Sequence, residues 1–160
     1  MKKILLTNEE KKLVEFAKRA IVKYSKKRKE KGLYDTIHAF VLSSSGKIYS
    51  GTPLESNLPP TNHCAEAHAI SNMRLEETEK TKIKSILVAG PVPKISRRCA
   101  TPCGRCRHLI NEFGTPNTTV LCSEFIRFEK EWKVFPKIQK YTIKELYPFP
   151  YTPTKWTDKL

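Results

Sequence analysis

The segment Thr36-Ile37-His38-Ala39-Phe40-Val41-Leu42-Ser43-Ser44-Ser45-Gly46-Lys47-Ile48-Tyr49-Ser50 holds two runs rich in β-branched and aromatic residues. Residues 43–46 between them are small, polar and end on glycine. This reads as a hairpin with strands at 36–42 and 47–50. Upstream, Thr7 and Glu10 form a T-x-x-E capping box. Leu13, Phe16, Ala17, Ala20, Ile21 and Tyr24 follow at helical spacing, and Gly32 is a stop signal. The first helix is therefore expected over residues 8–31. Downstream, a loop rich in Pro and Asn (52–62) leads to a helix expected at 63–79. The apolar run at 83–89 reads as a buried strand. A helix is expected from Cys106 to Phe113, a strand at 118–122, and a further short strand at 132–135. Thr142 and Glu145 offer a second capping box for a short helix. A hairpin followed by β-α units predicts an α/β fold, a three-layer α-β-α sandwich around a mixed sheet.

The 160 residues suit a single domain with one core, expected at about 8–148, with an irregular Pro- and aromatic-rich tail at 149–160. No run approaches the roughly 20 apolar residues of a membrane span. The N-terminus is too short and charged for a signal peptide, which points to a cytoplasmic protein. Five cysteines, two of them in a C-x-x-C, read as metal or redox chemistry and not as a disulfide framework. Cys99 and Cys122 read as small buried hydrophobes. The net charge of +14 permits an anionic partner such as nucleic acid. Much of the excess lies in residues 23–31, at the end of the first helix. Positive charge there is already favourable against the helix dipole, so nucleic-acid binding is not favoured on charge alone.

Two short segments carry chemistry: Cys64-Ala65-Glu66 and Pro102-Cys103-Gly104-Arg105-Cys106. Each lies where a loop meets an expected helix N-terminus, a position that lowers a thiol's pKa. Cys103 and Cys106 can reach one ion from one helix start, and Cys64 can join them from another. A structural zinc site uses four protein ligands; a catalytic one keeps three and leaves a position for water, whose pKa falls to about 7. Glu66 is placed to move protons without being a ligand. The competing arrangement is a closed zinc knot with a fourth ligand from Glu66, Cys99, His63 or His68, the last at C-x-x-x-H spacing from Cys64. His38 and His108 read as packing or surface histidines. The pairing of Cys-Ala-Glu with a later Pro-Cys-x-x-Cys has the general form of the zinc-deaminase signature.

At these residues the chain resembles the cytidine deaminase family and its relative, blasticidin S deaminase. Residues 46–51 are similar to the family's second strand, residues 102–107 match its motif throughout, and Glu145-Leu146-Tyr147-Pro148 resembles a near-C-terminal E-L-L-P. The resemblance implies a five-stranded mixed sheet and hydrolytic replacement of an aromatic amine by oxygen, with release of ammonia. It implies one zinc ion per chain, a cytosine nucleoside or analogue as substrate, and a homo-oligomer, typically a tetramer. Ala65 N–H would bind the ring carbonyl, the Thr101 carbonyl would accept from the amine, and Glu55, nine residues before Cys64, would grip the ribose. The alternative for Glu55 is a solvated loop carboxylate. Cysteine as first ligand marks the free-nucleoside branch.

The chain also departs from that pattern. The ribose-binding N-x-E is here Pro53-Leu54-Glu55, Asp35 falls where the family has a stacking Phe, and Pro59 replaces an aromatic residue. Ala67 stands where an Arg often offsets the thiolates. Zinc with three thiolates carries a formal charge of about −1, for which Arg97, Arg98, Arg105 and Arg107 are candidate partners. These changes leave the chemistry intact and bear on the substrate.

Overall fold

The computed structural model describes residues 4–58, 62–92, 99, 101–127 and 132–151. Helix α1 (Asn8–Glu30) begins with the expected capping box: Glu10 N–H donates to Thr7 Oγ1 at 3.2 Å and Thr7 N–H to Glu10 Oε2 at 2.8 Å. It ends at Lys31, before Gly32 with φ +67°. The hairpin follows as β1 (His38–Ser43) and β2 (Ile48–Gly51), then come α2 (Ala65–Glu76), β3 (Ile83–Pro91), α3 (Gly104–Phe113), β4 (Thr119–Arg127), β5 (Trp132–Thr142) and α4 (Ile143–Leu146). Thr142 and Glu145 form the second capping box. Among the described residues no helix is long and apolar enough to cross a membrane.

The five strands form one mixed sheet in the order β2-β1-β3-β4-β5, with β3 and β4 parallel and every other pair antiparallel. Alternation along the central strands sorts side chains between the layers. Phe40 pairs with Leu87 and Leu87 with Leu121, and all three pack with Leu13, Ala17 and Ile21 of α1. Val41, Ile86 and Val120 point the other way, into a core with Ala69, Ile70 and Met73 of α2 and Ile110 of α3. The expected three-layer α-β-α sandwich is thus formed.

Two strands run well past their expected ends. β4 runs to Arg127, and β5 covers eleven residues. Among the described residues β5 pairs with β4 alone, which makes it an edge strand, and there the missing N–H of Pro136 is tolerated. Lysines and that proline gave it no apolar run to read.

The position of α2 is set at both ends. At its start Gly51 lies beneath it: a Cβ on Gly51 would come closer than 3.0 Å to the Ala65 carbonyl oxygen and the Ala69 nitrogen, so only glycine permits this approach. At its end Glu77 Oε1 accepts from Ser43 Oγ at 3.1 Å, from Tyr49 OH at 2.9 Å and from Ser45 Oγ. These bonds tie the helix to the hairpin.

A candidate metal and catalytic site

Cys64 is the N-cap of α2 and Cys103 the N-cap of α3, and neither thiol is used to cap its helix. Cys106 lies one turn into α3 and is fully buried. The three sulfurs all lie within 4.8 Å of one another, with Cys64 and Cys103 3.9 Å apart. Among the described residues this is the one group of three His, Cys, Asp or Glu side chains able to share a metal ion. Three sulfur donors suit zinc and leave a fourth position open, the catalytic arrangement. Two helix N-termini meet at the cluster, and their dipoles favour negative charge there.

In the protein alone, burial pushes the Cys64 thiol up, and the neighbouring Cys103 and Glu66 add to this. Burial likewise pushes Cys106 up strongly. Burial also acts to raise Cys103, but the Cys106 N–H and hydrogen bonds with the Cys106 and Cys64 thiols outweigh it and bring it below its ordinary value. Of the three thiols, Cys103 is thus the one held below its ordinary value.

Glu66 stands in the first turn of α2 and is only 5% exposed. Burial raises its pKa above the ordinary carboxylate value, against a hydrogen bond from Cys106 that lowers it. A carboxyl that gives and takes a proton near neutral pH needs this direction of shift.

The cluster opens on a cleft of about 340 Å³ at the C-terminal end of β3, where Val88 and Gly90 contribute to its walls. Ligands of open α/β sheets bind outside the carboxyl ends of strands for reasons of topology. Glu55, Cys64, Ala65, Glu66, Thr101 and Cys103 all line this cleft, while Cys106 is buried and does not. A bridge joins Leu54 and His63, with N–H···O bonds of 2.9 and 3.0 Å in the two directions. It holds the Glu55 loop against the start of α2. Ile37, and not Asp35, reaches the cleft.

Of the candidates for a fourth ligand, Glu66 and His63 line the same cleft and His68 and Cys99 do not, and none of the four joins the group of three converging sulfurs. His68 Nδ1 lies 2.6 Å from the Thr52 carbonyl oxygen, and its ring stacks on His63 at 5.8 Å. His63 Nδ1 faces Arg105 at 3.3 Å. Cys99 is buried, with its N–H donating to Gln139 Oε1 at 2.9 Å and its thiol directed at the Lys137 carbonyl. Arg97, Arg98 and Pro59 lie outside the described residues.

Sequence reasoning missed the task of Arg107. Its guanidinium donates to the Pro102 carbonyl at 2.8 Å, the Leu146 carbonyl at 3.1 Å and Thr101 Oγ1 at 2.9 Å. It thereby clamps the turn carrying Thr101 and Cys103 to the end of α4. Leu146 lies 39 positions from Arg107, so no local signal announced the contact.

The family described as "Cytidine and deoxycytidylate deaminase zinc-binding region" matches residues 10–122. A cytidine deaminase of Mycoplasma pneumoniae is 30% identical over 102 residues, 64% of this chain and 73% of that protein. A blasticidin-S deaminase of Bacillus cereus is 29% identical over 119 residues, 72% of this chain and 76% of that protein. The crystal structure of cytidine deaminase from Burkholderia pseudomallei superposes with TM-score 0.64 at 21% identity, covering 91% of this chain and all (100%) of that one, a likeness of fold. On the extent of the family match, the chain belongs to the cytidine and deoxycytidylate deaminase family and is a zinc-binding deaminase of that family.

Proposed function

We propose that the protein is a hydrolytic deaminase of free cytidine or deoxycytidine, with zinc held by Cys64, Cys103 and Cys106 and protons moved by Glu66. The observation that carries this reading is the buried carboxyl of Glu66 beside three converging thiols at the wall of one cleft. When bound, zinc acts as a Lewis acid and brings the pKa of a coordinated water to about 7. Glu66 accepts a proton from the attacking water and delivers it to the ring nitrogen. A C–O bond forms at the amino-bearing carbon. Glu66 next takes the proton of the newly attached hydroxyl and passes it to the amine; the C–N bond breaks as the C=O bond forms, and ammonia leaves. Water is the only co-reactant, and no electrons are transferred.

The remaining residues orient the ring. Ala65 is the first residue of α2, so its N–H has no acceptor within the helix and is free to donate to the ring carbonyl. The Thr101 carbonyl accepts from the amine, and Arg107 fixes it through the Thr101 side chain. Glu55 accepts from the sugar hydroxyls. The cleft volume of about 340 Å³ is at the small end of ligand sites, suited to a single nucleoside.

A second reading is a deaminase of another cytosine compound. The similarity to a blasticidin-S deaminase and the missing asparagine at Pro53 favour it; Glu55 at the cleft favours a nucleoside. We also infer a cytoplasmic homo-oligomer, a tetramer or else a dimer, acting in pyrimidine salvage; all five cysteines are free thiols, as a reducing compartment would keep them. The test is ammonia release from zinc-loaded protein offered cytidine, deoxycytidine, CMP, cytosine and blasticidin S. Fastest turnover of a nucleoside supports the first reading, and preference for blasticidin S overturns it in favour of the second.

A further inference from the structure

A second and larger cavity, of about 590 Å³, lies between the end of α1, the end of β2 and the outer side of α2. Lys27, Arg28 and Lys31 line it, and no carboxylate does. Lys27 in the last turn of α1 and Lys31 at its C-cap stand four residues apart, and neither forms an ion pair among the described residues. Arg28 is held in place by donating from Nε to the Tyr34 carbonyl at 2.5 Å. Ser71 and Asn72 add polar groups on the α2 side, while Tyr24 and Leu33 give the cavity apolar surface.

His38 also lines this cavity, and it supplies an independent observation. It is 1% exposed, and its Nε2 has no hydrogen-bond partner. The ring is sandwiched by Tyr24, Phe40 and Phe125 at 5.9, 6.3 and 6.0 Å, so packing fixes its plane. A buried ring nitrogen without a partner is a cost unless a ligand completes it. No carbonyl at the end of α1 serves as this partner; the Lys27, Arg28 and Lys29 carbonyls accept from residues 31–33. Those carbonyls carry the negative end of the helix dipole, which opposes an anion, but as a half charge set against three cations.

We propose that this cavity binds a phosphate monoester, its phosphate held by Lys27, Lys31 and Arg28 and its organic part lying along Tyr24 and Leu33. Unpaired cations around a concave site recognise phosphate oxygens by charge-assisted hydrogen bonds. The volume exceeds what inorganic phosphate fills and lies within the range of small-molecule sites. The site is separate from the zinc cluster and does not depend on which substrate is deaminated.

The test is calorimetric titration of Glu66→Gln protein, in which turnover should fall at least about 100-fold, with adenosine 5′-monophosphate, inorganic phosphate and adenosine. The nucleotide should bind saturably, inorganic phosphate more weakly, and adenosine at least tenfold more weakly than the nucleotide. Lys27→Gln with Lys31→Gln should weaken the nucleotide by roughly tenfold or more, about 1.4 kcal/mol per decade. Lys18→Gln with Lys23→Gln, on the part of α1 outside the cavity, should leave it unchanged. The ¹⁵N signal of His38 Nε2 should shift on titration in the unsubstituted-lysine protein. Equal binding of adenosine and its phosphate, equal weakening by both lysine pairs, or a stationary His38 signal would overturn the proposal. Equal weakening by both pairs would instead mark α1 as a diffuse basic face of the kind that binds RNA.

Discussion

Replacing Gly51 by alanine adds a single methyl group at the point where β2 passes under α2. The new Cβ would fall closer than 3.0 Å to the Ala65 carbonyl oxygen and the Ala69 nitrogen, and 3.0 Å from the Ala69 Cα. All three are backbone atoms, so no side chain can swing away. An ordinary contact needs about 3.5 Å, and α2 must therefore lift by roughly 1 Å. That helix carries Cys64 at its cap and Glu66 in its first turn, while Cys103 and Cys106 stay on α3. Overpacking of this kind costs about 1–3 kcal/mol of stability. A displacement of about 1 Å in a catalytic group can cost on the order of 100-fold in rate. Gly104→Ala is the control. It sits inside the Pro-Cys-x-x-Cys motif, yet its Cβ would meet nothing within 4 Å. Denaturant unfolding and steady-state deamination should both be damaged in Gly51→Ala and nearly unchanged in Gly104→Ala. Wild-type stability and kcat/KM in Gly51→Ala would refute the reasoning.

Three further outcomes follow from the structure. Glu55→Gln should raise KM for cytidine by roughly tenfold or more with a smaller change in kcat, because a contact to the sugar binds ground and transition states alike; an unchanged KM would make Glu55 a solvated loop carboxylate. Arg107→Lys should lower stability by about 1–3 kcal/mol, since an ammonium cannot serve the three acceptors at Thr101, Pro102 and Leu146, and denaturant midpoints report it. Burial, followed by the charge of Arg28, lowers the His38 pKa to about 4, with Lys27 and Lys31 the further cations around the same cavity. The unfolded chain takes up this proton near pH 6.5 and the folded one only near 4, so this stability is complete above about 6.5 and lost as pH falls toward 4, by at most about 3 kcal/mol. Unfolding in phosphate-free buffers should show that slope, and His38→Gln should flatten it.

What the sequence makes legible is what short-range chemistry specifies. The Thr7–Glu10 box, the 43–46 turn and the stop at Gly32 are local devices, and all three form as expected. Cys64, Cys103 and Cys106 could be read as one metal-binding group because zinc chemistry favours those residue types at those spacings, and the fold brings their sulfurs within 4.8 Å of one another. The length of β5 was hidden because an edge strand needs no continuous apolar run and accommodates Pro136. The Leu54–His63 bridge, the Arg107 clamp and the Glu77 anchor on Ser43, Ser45 and Tyr49 depend on groups brought together by the fold. So does the cavity beside α1: the lysines of residues 23–31 read as a solvated helix end until His38 and α2 are placed opposite them.

The central claim is that Cys64, Cys103 and Cys106 hold a catalytic zinc and that Glu66 moves the protons. The direct measurement is zinc content and cytidine turnover in the same samples of wild type, Glu66→Gln and Cys106→Ser. One zinc per chain is expected in wild type and in Glu66→Gln, with turnover lower by at least about 100-fold in Glu66→Gln, and Cys106→Ser should lose both zinc and turnover. Undiminished turnover in Glu66→Gln, or full zinc content without Cys106, would contradict it.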